Sequence, residues 1–209
     1  MGKRTFCWLG AIGGVMLMTA GTIAATTATT QPLKSPAAFS KITDRTLRSA
    51  AIFSEAARVL ESPRCMNCHP KGRSPTQGED LHPHTPFIFA GQEGHGNSAL
   101  SCASCHQAFN VRTYGASVET MPGHAHWGLA PSSMAWQGLS RRELCEQIKD
   151  PARNGGRSLQ QIHEHLAHDT LVGWAWTPGV GRISAPGTQD GFGRLIAAWI
   201  ATGAGCPKS

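Results

Sequence analysis

Two short stretches of this chain carry residue types and a spacing that can do chemistry. Cys65-Met66-Asn67-Cys68-His69 and Cys102-Ala103-Ser104-Cys105-His106 share the pattern C-x-x-C-H. That pattern is the signature of covalent c-type haem attachment. Two thiols one turn apart can add to the two vinyl groups of a haem, and the next residue then brings its imidazole to the iron as proximal ligand. Three other chemistries use paired cysteines. Zinc knuckles need the four thiolates alone and give no reason for a histidine after each pair. A thioredoxin-like dithiol needs a strand–helix setting, which Pro63-Arg64 ahead of the first motif does not supply. Structural disulfides across a two-residue gap would close an unfavourable loop. The expected cofactors are therefore two covalently bound haem c groups on Cys65, Cys68, Cys102 and Cys105, with His69 and His106 as proximal iron ligands.

Each iron would have a sixth position, and Met there raises the potential relative to His. His82-Pro83-His84 follows the first motif by a loop-length gap. His124-Ala125-His126 follows the second in the same way. Pro and Gly surround both pairs, so both are expected on loops that can fold back over a haem. His84 and His126 are the candidate distal ligands. Met121, ahead of Pro122-Gly123, is the rival, and the four His of these pairs could instead hold copper or zinc. His163, His165 and His168 fall on an expected helix, where they read as a solvated face with room for a haem edge.

Cys65 and Cys102 are 37 residues apart. Two tandem cytochrome c domains do not fit that interval, so both haems must share one body. The elements that position them are helices. Asp44 to Leu60, with Thr43 as cap, is amphipathic. Ser140 to Glu143 and Ser158 to Gln161 are capping boxes, opening helices that end near Lys149 and His168. In Gln189 to Thr202, Phe192, Leu195, Ile196, Trp199 and Ile200 form an apolar stripe at helical spacing, with Gly203 as the stop. Trp127, Trp136, Trp174 and Trp176 are core or haem-packing residues. No strand pattern stands out. The expected fold is mostly α, a dihaem cytochrome c-like body with long Gly/Pro-rich loops and little or no sheet.

Lys3 and Arg4 followed by an apolar run from Trp8 to Ala25 read as an export signal over residues 1–25, which would take Cys7 with it. The alternative is an uncleaved anchor, since the run of about 18 residues is near the lower limit for a membrane span. Residues 26–42 read as a flexible linker and 43–209 as a single domain. Export points to the periplasm and an oxidising setting. There Cys145 and Cys206, the two cysteines left over, are expected to form a disulfide. The net charge is +6 over 209 residues, and loss of the leader leaves 17 basic against 13 acidic side chains. With no Lys/Arg run and no basic-aromatic interleaving, nucleic acid is not an expected partner.

Several blocks carry a family resemblance: the first C-x-x-C-H with Pro70 and Gln77-Gly78-Glu79-Asp80; the second with His126-Trp127-Gly128-Leu129-Ala130-Pro131; Lys149 to Arg157; and Leu171 to Trp174. Over residues 60–207 the chain resembles a proteobacterial family of exported dihaem proteins whose members are often labelled as a subunit of isoquinoline 1-oxidoreductase. The resemblance implies a cytochrome that takes electrons from a periplasmic molybdenum hydroxylase, and His84 and His126 lie in its recurring blocks. Three functions follow as expectations. The first is an electron carrier between a periplasmic oxidoreductase and an acceptor, with a redox protein as partner and no catalytic residue. The second is a dihaem peroxidase or reductase with one open haem site. The third is a sensor, for which no signalling domain is present.

Overall fold

Helices begin where a side-chain oxygen meets the orphan N–H groups of a first turn. A computed structural model of the chain describes residues 1–2, 32–115 and 119–209. The expected export signal, apart from Met1 and Gly2, and the first part of the expected linker lie outside the described residues. Helix α1 spans Arg45–Leu60. Its cap is Asp44, not Thr43: the Asp44 carboxylate accepts from Leu47 N at 2.9 Å, and its charge also suits the positive helix end. The short α2, Pro63–Met66, follows at once and starts on a proline. Helices α3, Arg141–Lys149, and α4, Leu159–His168, both open on full capping boxes, from Ser140 with Glu143 and from Ser158 with Gln161. A single turn, α5, Thr170–Gly173, leads to α6, Gln189–Ala201.

The core lies where α6 packs on α1 and α4. Phe192, Leu195, Ile196 and Trp199 are buried as the stripe requires, whereas Ile200 is only half-buried. Phe53 of α1 meets Trp199 with ring centroids 5.1 Å apart. Burial of side chains this size contributes about 1.5–3 kcal/mol each. Gly193 lets α6 approach α4 closely, since a Cβ there would lie 2.6 Å from the Ala167 methyl. Past the end of α6, Gly203 takes the left-handed conformation, φ 103°, as expected of a helix stop. Cys206 then bridges to Cys145 of α3, with Cα atoms 5.6 Å apart. The described part of the expected linker belongs to this body: Phe39 is buried in the core and Lys34 N donates to Glu55 at 3.0 Å.

Between α2 and α3 runs a long loop region. Its only described sheet structure is three antiparallel hairpins of two-residue strands: β1 Thr76–Gln77 with β2 His82–Pro83, β3 Gly96–Asn97 with β4 Leu100–Ser101, and β5 Val111–Arg112 with β6 Thr120–Met121. The fold is thus helix-rich with minimal sheet. Side chains take over where ladders are short. The Arg73 guanidinium donates to the carbonyls of Gly91 (2.6 Å) and Ala130 (2.9 Å), and Gln137 Nε2 donates to Met66 O (3.0 Å) and to the Thr76 hydroxyl (2.8 Å). Among the described residues no helix is long and apolar enough to cross a membrane.

Candidate functional site

Both C-x-x-C-H segments fold into the same turn. In the first, α2 carries Cys65 and the His69 N–H returns to the Cys65 carbonyl at 3.2 Å. In the second, a 3-10 turn covers Cys102–Ser104 and the His106 N–H returns to the Cys102 carbonyl at 2.9 Å. A turn of that size sets both thiols and the imidazole on one local surface. All four cysteines are free thiols, so neither pair forms a disulfide.

The two histidines stand in matching surroundings built from distant parts of the chain. His69 Nδ1 meets the Met134 carbonyl at 2.8 Å, and His106 Nδ1 meets the Pro122 carbonyl at 2.7 Å. A carbonyl can only accept, so each Nδ1 carries the proton and each Nε2 lone pair is free in the neutral ring. A backbone carbonyl that fixes tautomer and orientation in this way is the usual support of a metal-ligating histidine. Each ring also stacks on a tryptophan: His69 on Trp136 at 3.5 Å, His106 on Trp127 at 4.8 Å. Burial pushes the His69 imidazole down to about 4 and lowers that of His106 as well. Both are therefore neutral at pH 7, the state a ligand needs.

The carbonyl that holds His106 is itself placed by close backbone packing. At Gly123, beside Pro122, a Cβ would lie 2.3 Å from the Phe109 carbonyl, so only glycine fits. Asn110 closes this corner. Its Oδ1 accepts from Gly123 N (3.0 Å) and from Trp174 Nε1 (2.8 Å), and its Nδ2 donates to Thr177 O (2.9 Å). Trp174 then meets Trp127 edge-on at 4.8 Å, which couples the C-terminal helices to the second motif.

The two motifs converge. A cavity of about 520 Å³ is lined by Cys68 of the first and by Cys102, Cys105 and His106 of the second, with His84 and Trp127. That size lies within the ~300–1,000 Å³ of small-molecule and cofactor sites. Burial pushes the Cys65 thiol up to about 12 and that of Cys68 up to about 11, the latter helped by the negative charge Cys102 would carry. Cys68 and Cys102 therefore share one neighbourhood.

Of the expected distal ligands, the structure brings one to a motif histidine. The His84 ring centre lies 5.9 Å from that of His106. Its Nδ1 is turned to the Pro86 carbonyl at 2.8 Å, which leaves Nε2 free. The two rings are tilted by 58° to one another, and His84 and His106 are the pair of imidazoles that would hold one metal together here. His126 departs from the expectation. It is exposed, lies off the cavity lining and pairs with His124 at 5.8 Å. The reason is local: Trp127 takes the place against His106 and turns the preceding residues outward. His124 Nε2 is engaged by the Thr170 hydroxyl at 3.0 Å. Met121 lines the cavity. In α4, His165 bears on His69 by its charge, and its Nδ1 faces Asp169 at 3.2 Å.

The donor set fits haem c: two thiol pairs on helical turns and two neutral imidazoles held through Nδ1, with a cavity walled by Trp127 and Trp174 beside His106; His69 and Cys65 lie off that lining. Among the described residues no three His, Cys, Asp or Glu side chains gather to hold a bare metal ion; a haem iron asks for two protein ligands at most. Sequence reasoning missed the Met134 and Pro122 carbonyls and Asn110, which carry no motif. Comparison with protein-family models, curated proteins and solved structures finds no match to this chain.

Proposed function

We propose that this chain is a periplasmic dihaem c-type cytochrome that carries electrons. The observation that carries this reading is the matching support of the two C-x-x-C-H histidines, each fixed through Nδ1 by a backbone carbonyl and stacked on a tryptophan, with Cys68 of the first motif meeting Cys102, Cys105 and His106 of the second on one cavity. When bound, haem supplies a one-electron Fe(III)/Fe(II) couple. The residues do the rest. Cys65 with Cys68 and Cys102 with Cys105 attach the two groups, and His69 and His106 offer Nε2 as proximal ligands. Met134 and Pro122 hold those rings, and Trp136 and Trp127 exclude water from their faces. His84 would offer the second imidazole of the His106 centre. No side chain is needed as a catalytic base. Export rests on the N-terminal charge and apolar run. The resemblance to exported dihaem proteins adds the partner class: a molybdenum-hydroxylase-type oxidoreductase as donor, and a further redox protein as acceptor.

A second reading, a dihaem peroxidase or reductase, draws on one observation. Among the described residues the ring paired with His69 is Trp136, and no imidazole is paired with it across a metal-sized gap. Optical redox titration of the holoprotein separates the two. A carrier gives a low-spin ferric spectrum, reversible one-electron reduction at both haems and no consumption of peroxide. A high-spin fraction of half the haem, together with peroxide turnover, would favour the enzyme.

A further inference from the structure

A second pocket, of about 480 Å³, is lined by Ser132, Ser133, Ala135 and Gln137. These residues flank Met134, whose carbonyl holds the His69 ring, and Trp136, which stacks on it. Among the described residues the pocket shares no lining residue with the cavity of the motif cysteines. Gln147 of α3 also lines it and is only 2% exposed. Its Nε2 donates to the Ser133 carbonyl, and its Oε1 has no partner. A carbonyl can only accept, so the amide cannot be turned over and the oxygen is the open atom. A buried acceptor left without a donor is destabilising.

Two cations stand at the same pocket. Lys71 and Arg153 line it and are exposed, and among the described residues neither enters an ion pair. No carboxylate is among its described lining residues. The carboxylates around it are engaged elsewhere. Glu143, which feels the charge of Arg153, accepts from the Ser140 N–H and hydroxyl at 2.8 Å each. Asp150 Oδ1 accepts from Ala152 N at 3.0 Å, and Glu146 faces Lys149 at 3.6 Å. We propose that this pocket binds a small oxyanion that carries its own hydroxyl, of the hydrogen phosphate type. Its oxygens accept from the Lys71 ammonium, the Arg153 guanidinium and the hydroxyls of Ser132 and Ser133, and its O–H donates to Gln147 Oε1. The guanidinium fork matches phosphate in geometry, and the ammonium adds a point charge. Sulfate has the same shape but no O–H near neutral pH, so it lacks the last of these bonds. None of these residues belongs to the C-x-x-C-H turns, so the site stands apart from the haem reading.

The test is isothermal titration calorimetry of the full chain, purified from a host that matures c-type cytochromes. Inorganic phosphate and then sulfate are titrated at equal ionic strength near neutral pH. One phosphate is expected to bind per chain, and sulfate about tenfold more weakly. Gln147 is buried and its removal risks the fold, so the exposed cations carry the experiment. Lys71→Gln and Arg153→Gln each weaken phosphate binding about tenfold. Arg142→Gln, at an exposed arginine outside the pocket, leaves it unchanged. No phosphate binding at millimolar concentration overturns the proposal, as does equal affinity for phosphate and sulfate. Affinity that survives both Lys71→Gln and Arg153→Gln overturns it too. So does an equal loss in all three variants, which would mark an adventitious ion only.

Discussion

At the first motif His69 stacks on Trp136 at 3.5 Å and is buried enough to hold its pKa at about 4; at the second, His106 stacks on Trp127 at 4.8 Å and faces His84 at 5.9 Å. The scaffolds differ accordingly. The first turn begins two residues beyond α1, and Met66 and Trp136 are part of the helical core. The second sits between two-residue hairpins, and its Cys105 is exposed. One C-x-x-C-H turn is thus part of the folding unit, while the other is held by side chains such as Asn110 and by glycine-dependent backbone contacts. The same five-residue pattern can be presented by a core or by a loop lobe, provided a carbonyl and an indole fix the imidazole in both.

The largest effect that would sharpen this contrast is haem loss. Replacing Cys65 and Cys68 by Ala removes one of two haems and lowers the melting temperature of the helical body. Replacing Cys102 and Cys105 also removes one haem but leaves the melting temperature closer to wild type. Equal thermal losses would break the distinction between core-built and loop-built centres. Next comes ligation: His84→Ala converts the His106 centre to high spin, read in the ferric optical spectrum as half of the haem, and leaves the His69 centre unchanged. A fully low-spin spectrum would remove His84 from the ligand set.

Stability effects confined to the helical body are smaller. Loss of the Cys145–Cys206 bridge, which closes a separation of 61 residues, costs about 4 kcal/mol in the chain-entropy model. It is measured by denaturant unfolding, and the second centre's spectrum should be indifferent to it. The smallest effect is in the pH dependence of the chain before haem attachment. His69 has a folded pKa of about 4 against an ordinary 6.5, so the unfolded state binds its proton first. Stability is fully present above pH 6.5 and falls as pH drops toward 4, by up to about 1.4 kcal/mol per unit. His69→Gln flattens that profile more than His106→Gln does, and equal effects would contradict the deeper burial of the first site.

Local signals in the sequence foretell local structure well. The capping boxes at Ser140 and Ser158, the stripe of α6 and the Gly203 stop need only neighbouring residues, and all stand in the fold. The Cys145–Cys206 bridge was legible by elimination. The cap of α1 was misplaced by one residue because Thr43 and Asp44 are both good caps, and only the backbone decides between them. The hairpins left no trace, since two-residue strands show no alternation. What lay beyond the sequence is long-range: Met134 lies 65 residues from His69, and Trp174 is 64 from Asn110. The sequence marks His84 as a loop histidine that follows the first motif, and its approach to His106 of the second is a long-range outcome, as is the exposed position of His126 beside Trp127, which stacks on the same ring.

The measurement that bears most directly on the whole account is the intact mass of the exported chain together with its pyridine haemochrome spectrum, after expression in a host that matures c-type cytochromes. The account predicts two haems bound covalently per chain with a c-type α band, and loss of the N-terminal leader. A colourless chain, or one carrying zinc or copper on its four motif cysteines, would contradict it.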